Sequence, residues 1–422
     1  MTRPLAVVVL AAGLGTRTKV STPKVLLPIC GRTLLGTVLD QVAELEPART
    51  VVVLHHQKDR VEAAIADRPG LTIVDQGPPR GTGHAVQVAM GALADFDGDV
   101  LVCYGDMPLV RAETFAMLRA AKGDDAAVIL TAFPDDVTGL GRILRDEQDR
   151  VVGIREEKDC SEDEREIPEI NVGITCYDAA ALRESLAKLS DDNAQGELYL
   201  TDCVAHLIAA GRGVAGVEVD DPEEAMGVNS LVQLALARQV MQERILEHHL
   251  LNGVLIEDPA TTYIDHGVTI GRDTHILPCT VIRAGVVIGA GCEVGPFAQL
   301  RVGATLEDGA EVGNFCEVKK STVGKGTKAK HLTYLGDTRI GAGANIGAGT
   351  ITANYDGEAK HVTVIEDGAF IGSGTVLVAP LTVGKGAQTG AGAIVRKNSA
   401  IGPGETWVGV PARRLEPRGG TK

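Results

Sequence analysis

Two rhythms of apolar and polar residues divide the chain. Up to about residue 230, short β-branched runs at 6–10, 51–54, 71–74, 99–103 and 127–131 alternate with amphipathic stretches such as 36–46, 58–66 and 84–94. That alternation predicts βαβ units on a mostly parallel sheet. A run without Gly or Pro, NSLVQLALARQVMQERILEHHL from Asn229, then predicts a connecting helix. From Ile264 an aliphatic residue recurs at every sixth position, through Ile270, Ile276, Ile282, Ile288, Val294, Leu300, Leu306 and Val312 to Val318. The frame slips by one to Val323, Ala329 and Leu335, and again to Ile340, Ile346 and Thr352. After a break at 354–364 it resumes at Ile365 and continues to Trp407.

A six-residue period fits neither a helix nor a long strand. It fits a solenoid in which each hexad is one short strand and one corner, about eighteen residues completing a triangular coil. Glycines after the aliphatics, as in IGRDTH and IGSGTV, suit the corners. The predicted order is an α/β domain over 1–228, a linker helix over 229–252 and the solenoid over 253–422. The break, NYDGEAKHVTV, reads as an insertion, which on a rigid repeat surface is a natural binding element.

Composition agrees. Aromatics are only 3% and Gly reaches 51, as a core one aliphatic wide with many corners requires. A net charge of −15 argues against a nucleic-acid partner. The eight cysteines form no CxxC or zinc spacing and read as reduced thiols of a cytoplasmic protein. No apolar run reaches the roughly 18 residues of a membrane span. The opening MTRPLAVVVLAAG has the shape of a short signal peptide, but the GTRTK that follows suits a phosphate loop better.

The stretch LAAGLGTRTKVSTPK, 10–24, follows the first predicted strand. Its glycines match neither the dinucleotide nor the Walker fingerprint. Taken alone they mark a turn. With Arg17 and Lys24 they suggest backbone N–H groups around a triphosphate and two cations to neutralise the charge of phosphoryl transfer. Asp106 ends the run 99–103, where open α/β sheets bind ligands, and is a candidate Mg²⁺ ligand as well as a candidate cap. QGPPRGTGHA, 76–85, is a second Gly-rich loop suited to a uracil or a phosphate. In the solenoid, the densest non-repeat residues lie at 314–355. Coil arithmetic sets His331 near Arg301, Lys319, Tyr334, Asn345 and Tyr355, which raises it from a surface histidine to a candidate base.

These motifs, with YGDMPL, GLGRI, EEKD, EINVGI, NAQGELYLTD and GVN in the first half, resemble the bifunctional GlmU family. So do GPFAQLRVGA, VGNFCEVKK, KAKHLTYLGD and NIGAGTITANYDG in the second. The resemblance implies a Rossmann-like nucleotidyltransferase domain followed by a left-handed parallel β-helix of hexapeptide repeats. It implies acetyl transfer from acetyl-CoA to glucosamine-1-phosphate, then uridylyl transfer from UTP, giving UDP-N-acetylglucosamine for bacterial cell-wall precursors. Asp106 and Asn229 would hold Mg²⁺. Leu10, Ala11, Ala12, Gly13, Lys24, Tyr104, Gln76, Gly81 and Thr82 would meet the nucleotide, and Gly141, Glu156 and Asn171 the amino sugar. His331 would be the general base of acetylation. Arg301 and Lys319 would grip the sugar phosphate, and Tyr334 and Asn345 would fix the sugar. Ala348, Asn354, Tyr355, Ser373 and Ala391 would line the acetyl-CoA site. Such solenoids form homotrimers, with acetyl sites between subunits.

Two departures stand out. Coils between Ile270 and Pro296 are fewer than the family's. Where the family places a basic residue toward coenzyme A this chain has Gly409, with Arg413 and Arg414 nearby. Two rival readings are a single-activity nucleotidylyltransferase with an oligomerising solenoid and a non-catalytic regulator of the same architecture. Lys24, Asp106 and Asn229 speak against the regulator, and His331, Lys319 and Asn354-Tyr355 against the single activity.

Overall fold

The structure is a computed structural model that describes residues 3–415. The chain divides into two compact units, Met1–Val240 and Met241–Lys422. The division falls inside the helix Leu231–Leu251, the connecting helix read from the sequence.

The first unit is built on a nine-stranded sheet whose main path holds seven strands: β1 (Leu5–Leu10), β2 (Arg49–Leu54), β3 (Leu71–Asp75), β4 (Asp99–Tyr104), β5 (Ala127–Ala132), β6 (Ile170–Asp178) and β7 (Val214–Glu218). They lie in the order β7-β5-β6-β4-β1-β2-β3. All neighbours are parallel except β6, which runs antiparallel to β4 and β5. Helices cover both faces, so the central strand is apolar at every position. Leu5, Val7 and Val9 enter one core cluster, and Ala6, Val8 and Leu10 the other. β6 is absent from the β-branched runs because Gly173 interrupts it. Its pairing with β5 shifts register between Asn171 and Thr175. This sheet brings the carboxyl ends of β1, β2, β3 and β4 to one edge.

The second unit is a left-handed parallel β-helix with three faces. The first face runs from Leu255–Ile256 to Thr406–Val408, the second from Tyr263–Ile264 to Ile394–Val395, and the third from Thr269–Ile270 to Ala400–Ile401. In the two-residue strands of the three faces the second residue points inward, and the aliphatic ones join one continuous cluster. Thr352 and Thr389 occupy inward positions without cost. Their hydroxyls accept from the N–H of Gly336 (2.8 Å) and Gly372 (3.0 Å).

The two frame slips have a local cause. Tyr263 stands opposite Val281, but Glu317 stands opposite Tyr334 and Tyr334 opposite Ile351. These coils lose one residue at the corner between the second and third faces. There the buried Ser321 hydroxyl replaces a backbone group, donating to Lys319 O (2.9 Å) and accepting from Thr338 N (2.9 Å). The insertion leaves the same corner one coil later, closed by a bridge between Tyr355 and Lys360. A last short strand, Arg413–Arg414, folds back antiparallel on the end of the first face. Among the described residues no helix is long and apolar enough to cross a membrane, and no disulfide forms.

Candidate functional sites

In the first unit, the loop after β1 passes against Lys24. Gly15 has φ +63°, and a Cβ there would meet Lys24 Cβ at 2.9 Å. Glycine therefore lets the loop and the lysine share one place. Among the described residues, no protein acceptor takes the N–H of Ala12, Gly13, Leu14 or Gly15. Consecutive free N–H groups of this kind form an anion-binding concavity. Arg17 is exposed and makes no side-chain bond among the described residues. It lies in the short turn Thr16–Thr18 directly after this loop.

Lys24 Nζ is bonded to Asp106 Oδ2 and to Asn229 Oδ1 (2.9 Å). Three residues far apart in sequence thus converge on one point. The 228 peptide N–H donates to Asp106 O (2.9 Å), tying the two segments together. The two oxygens that meet there, one carboxylate and one amide carbonyl, are a donor set that suits Mg²⁺, which keeps waters and substrate phosphates as its remaining ligands. No group of three or more His, Cys, Asp or Glu among the described residues could hold a metal by protein alone.

At the second loop, Gln76 is buried and donates from Nε2 to Gly81 O (3.0 Å), leaving its carbonyl unused by this bond. Gly81 has φ +103°, and a Cβ would strike Leu198 O at 2.5 Å. Thr82 Oγ1 accepts from Leu200 N (3.1 Å), so the loop is clamped to the 198–200 segment.

Around the sugar positions, Asn171 N donates to Gly141 O (2.8 Å). A Cβ on Gly141 would lie 3.7 Å from Glu156 Oε2. Glu156 accepts from Thr201 Oγ1 (2.9 Å), and burial pushes its carboxyl above the usual range, with Asp202 and Asp159 adding to the rise. Burial likewise raises the Tyr104 phenol, with Glu156 and Asp106 as further causes. Thr201 was not singled out from the sequence. Its motif, YLTD, was visible, but only the fold sets its hydroxyl on Glu156.

In the second unit, Asn314 and His331 stand opposite each other on adjacent coils. His331 Nδ1 lies 2.9 Å from Asn314 Oδ1. An amide oxygen only accepts, so Nδ1 donates in this contact, and in a neutral imidazole Nε2 is then the acceptor. His331 is exposed. Asn314 lay in the quoted VGNFCEVKK without a role, because its partner is seventeen positions away.

A second group forms on the second face and at the corner beyond it. Arg301 pairs with Glu317 (2.5 Å). The Lys319 ammonium is held below its ordinary value by Lys360 first and then by Arg301, with Asp337 opposing. Three cations gathered beside only two carboxylates, Glu317 and Asp337, leave an excess of positive charge that suits an anion. A Cβ on Gly336 would lie 2.6 Å from Tyr334 Oη and 2.8 Å from Asn354 Nδ2, so those two polar groups flank one spot. Asn354 donates to Asp337 (2.5 Å), and Tyr355 closes the insertion through Gly357 O (2.5 Å). Lys360 is a cation that sequence reasoning missed; it lies in the recognised insertion, and nothing in the repeat shows where that loop returns.

Other expected residues lie elsewhere on the same solenoid. Ala348, Ser373 and Ala391 follow His331 along the corner between the first and second faces, one per coil. Backbone bonds run Gly349 N to His331 O (3.2 Å), Gly374 N to Ala348 O (2.7 Å) and Gly392 N to Ser373 O (2.8 Å). Asn345 sits on the first face, between Lys328 and Phe370. One chain therefore presents His331 and the small-residue column at one corner, Arg301, Lys319, Asn354 and Tyr355 toward the next, and Asn345 on the first face, in the strand paired with the one that ends at His331.

Residues 7–203 match the family model of the MobA-like NTP transferase domain. The bifunctional protein GlmU of Paenarthrobacter aurescens (strain TC1) is 45% identical over 439 residues, covering 94% of this chain and 88% of that protein. The GlmU of Synechococcus sp. (strain RCC307) is 44% identical, covering 93% and 94%. That of Thermobifida fusca (strain YX) is 44% identical, covering 98% and 94%. The chain belongs to the bifunctional GlmU family. It is an enzyme of UDP-N-acetylglucosamine synthesis, a uridylyltransferase and an acetyltransferase on one chain. Lys24 and Asp106 fall within the span that matches the transferase model, Asn229 lies beyond it, and the His331–Asn314 pair lies in the repeat half.

Proposed function

We propose that the two half-reactions run at the two constellations described, with acetyl-CoA, UTP and Mg²⁺ as co-substrates and metal. The observation that carries this reading is the meeting of Lys24, Asp106 and Asn229 at one point beside four free backbone N–H groups.

In acetylation, the amine of glucosamine-1-phosphate attacks the thioester carbonyl while His331 Nε2 takes its proton; the C–S bond then breaks and coenzyme A leaves as the thiol, taking up that proton. Asn314 keeps the proton on Nδ1, so the base faces outward in the right tautomer. Arg301, Lys319 and Lys360 hold the phosphate, and Tyr334 and Asn345 the sugar. The Asn354–Tyr355 loop follows the second-face strand Ile351–Ala353, one corner on from His331 in one chain, which supports an acetyl site assembled between copies in a homotrimer.

In uridylyl transfer, the phosphate oxygen of N-acetylglucosamine-1-phosphate attacks the α-phosphorus of UTP, and pyrophosphate leaves. The Ala12–Gly15 N–H groups, Arg17 and Lys24 stabilise the charge that spreads over the transferring group. Gln76, Gly81 and Thr82 read the uracil edge, the buried Gln76 amide favouring UTP over purine triphosphates. Leu10 and Ala11 set the loop's origin. Glu156 and Asn171, with Gly141 and Tyr104, bind the amino sugar. Mg²⁺ on Asp106 and Asn229 would supply further neutralisation of the phosphates.

The test is to assay each half-reaction separately in two variants. Asp106→Ala should abolish uridylyl transfer and leave acetylation near wild type. His331→Ala should slow acetylation by roughly 10²–10⁴ and leave uridylyl transfer intact. Parallel loss of both activities in a folded variant would refute the two-site reading.

A further inference from the structure

The corner that carries His331 continues beyond Ala391 to the fold-back strand at the chain's end. Its next member is Gly409, whose O accepts from Ile394 N (3.2 Å). From His331 to Gly409 is four strand spacings, roughly 19 Å. That is the scale of an extended pantetheine arm, which is a thioester and two amides long. In the other direction the corner is blocked by bulk: Phe297, Phe315 and Leu332 occupy the left-handed corner positions, and the two phenyl rings stack at 5.2 Å. A donor whose acetyl group sits at His331 can therefore lie along only the C-terminal half of the corner. Its nucleotide end then falls on the hairpin Thr406–Arg414.

That end is polyanionic, and the chain's net charge is −15. A local cation is needed to receive it. Gly409 offers none. Of the two arginines in the last strand, Arg414 pairs with Glu405 (3.4 Å), which also accepts from the Trp407 indole (3.0 Å). Arg413 stands opposite Val408, is exposed, and makes no ion pair or side-chain hydrogen bond among the described residues. Val408 in turn leans over Gly390, beside Ala391. We infer that Arg413 is the residue that grips the phosphates of the acetyl donor's nucleotide, the fold-back strand supplying the cation that the corner itself lacks. This rests on the reading that acetyl-CoA lies along the His331 corner.

The full-length protein and its Arg413→Ala, Arg413→Lys and Arg414→Ala variants would be titrated with coenzyme A by calorimetry. They would also be assayed with acetyl-CoA and with acetyl-pantetheine, which lacks the nucleotide. Arg413→Ala should weaken coenzyme A binding and raise the KM for acetyl-CoA about tenfold, the scale of one lost charge-assisted contact. KM for glucosamine-1-phosphate and for UTP should not move. Lysine should restore part of the loss, and Arg414→Ala should behave as wild type. With acetyl-pantetheine the Arg413→Ala and wild-type proteins should be equal. Unchanged coenzyme A affinity in Arg413→Ala would overturn the inference, as would an equal loss with acetyl-pantetheine, which would mean that the hairpin merely lost its shape. Failure of the wild-type protein to bind coenzyme A would instead overturn the acetyl-CoA reading beneath it.

Discussion

At the scale of single residues, the two sites are governed by what each polar group already holds. Lys24 occupies the oxygens of Asp106 and Asn229 that a metal would use. Its ammonium and the cation therefore compete for one place. Lys24→Ala should tighten Mg²⁺ binding in the absence of nucleotide, by roughly tenfold, because the carboxylate loses its charged partner. The same variant should lower uridylyl transfer by roughly 10²–10³, since a cation at the phosphates is gone. Calorimetry with Mg²⁺ alone, beside a pyrophosphate-release assay, separates the two effects; weaker metal binding in the variant would contradict the competition. Asn314 acts through His331 and is a positioning residue. Asn314→Ala should reduce kcat for acetylation by roughly tenfold with KM unchanged, because both imidazole tautomers become populated. Asn314→Asp should recover much of the rate, as a carboxylate also accepts from Nδ1. ¹⁵N NMR of the His331 ring would read the tautomer directly, and a ring already mixed in the wild-type protein would end the argument.

At the scale of elements, the insertion after the second face is the part of the solenoid that departs from repeat geometry. It is stapled internally, with His361 Nε2 2.6 Å from Asp356 Oδ2 and the 361 peptide N–H on Asn354 O (2.8 Å). Its role is to return Lys360 to Lys319 and Arg301. Like charges held close destabilise the fold unless an anion sits among them. Lys360→Ala should therefore raise the apo protein's Tm slightly while raising the KM for glucosamine-1-phosphate about tenfold. Inorganic phosphate should stabilise the wild-type protein more than this variant. A lower Tm in the variant, measured by calorimetry, would show that the loop needs Lys360 for its own structure. The shortened corners serve the same site. By removing one residue before Thr322 and Thr338 they tighten the turn that presents Lys319 and Asp337, and the Ser321 hydroxyl makes the tightening possible.

At the scale of the whole molecule, each unit has its own core. The boundary after Val240 leaves Arg238 with the first unit, where it donates to Pro28 O (2.6 Å). A fragment ending at residue 240 should fold as a monomer with uridylyl transfer, and one ending at 229 should show the same activity with a lower Tm. Light scattering and thermal unfolding of the two fragments would check this; a trimeric 1–240 fragment would refute the solenoid as the trimer contact. The strand runs of the first half and the hexads of the second were legible in the sequence because burial is continuous along a strand covered on both faces and recurs at every sixth position in a one-residue-wide core. The motifs around Lys24, Asp106 and His331 were legible because glycines and charges placed between such runs have few structural uses. Their partners were not. Coil arithmetic counts distance along the solenoid but not which of three faces a residue occupies: His331 and Asn345 lie on adjacent strands of the first face, whereas Lys319 lies on the second. Asn314 on His331, Thr201 on Glu156, Lys360 on Lys319 and the meeting of Lys24 with Asn229 all join segments whose separation carries no local signal. Those contacts exist only once the chain has closed its sheet and wound its coils, because a hydrogen bond is set by where backbones come to rest and not by the spacing that brought them there.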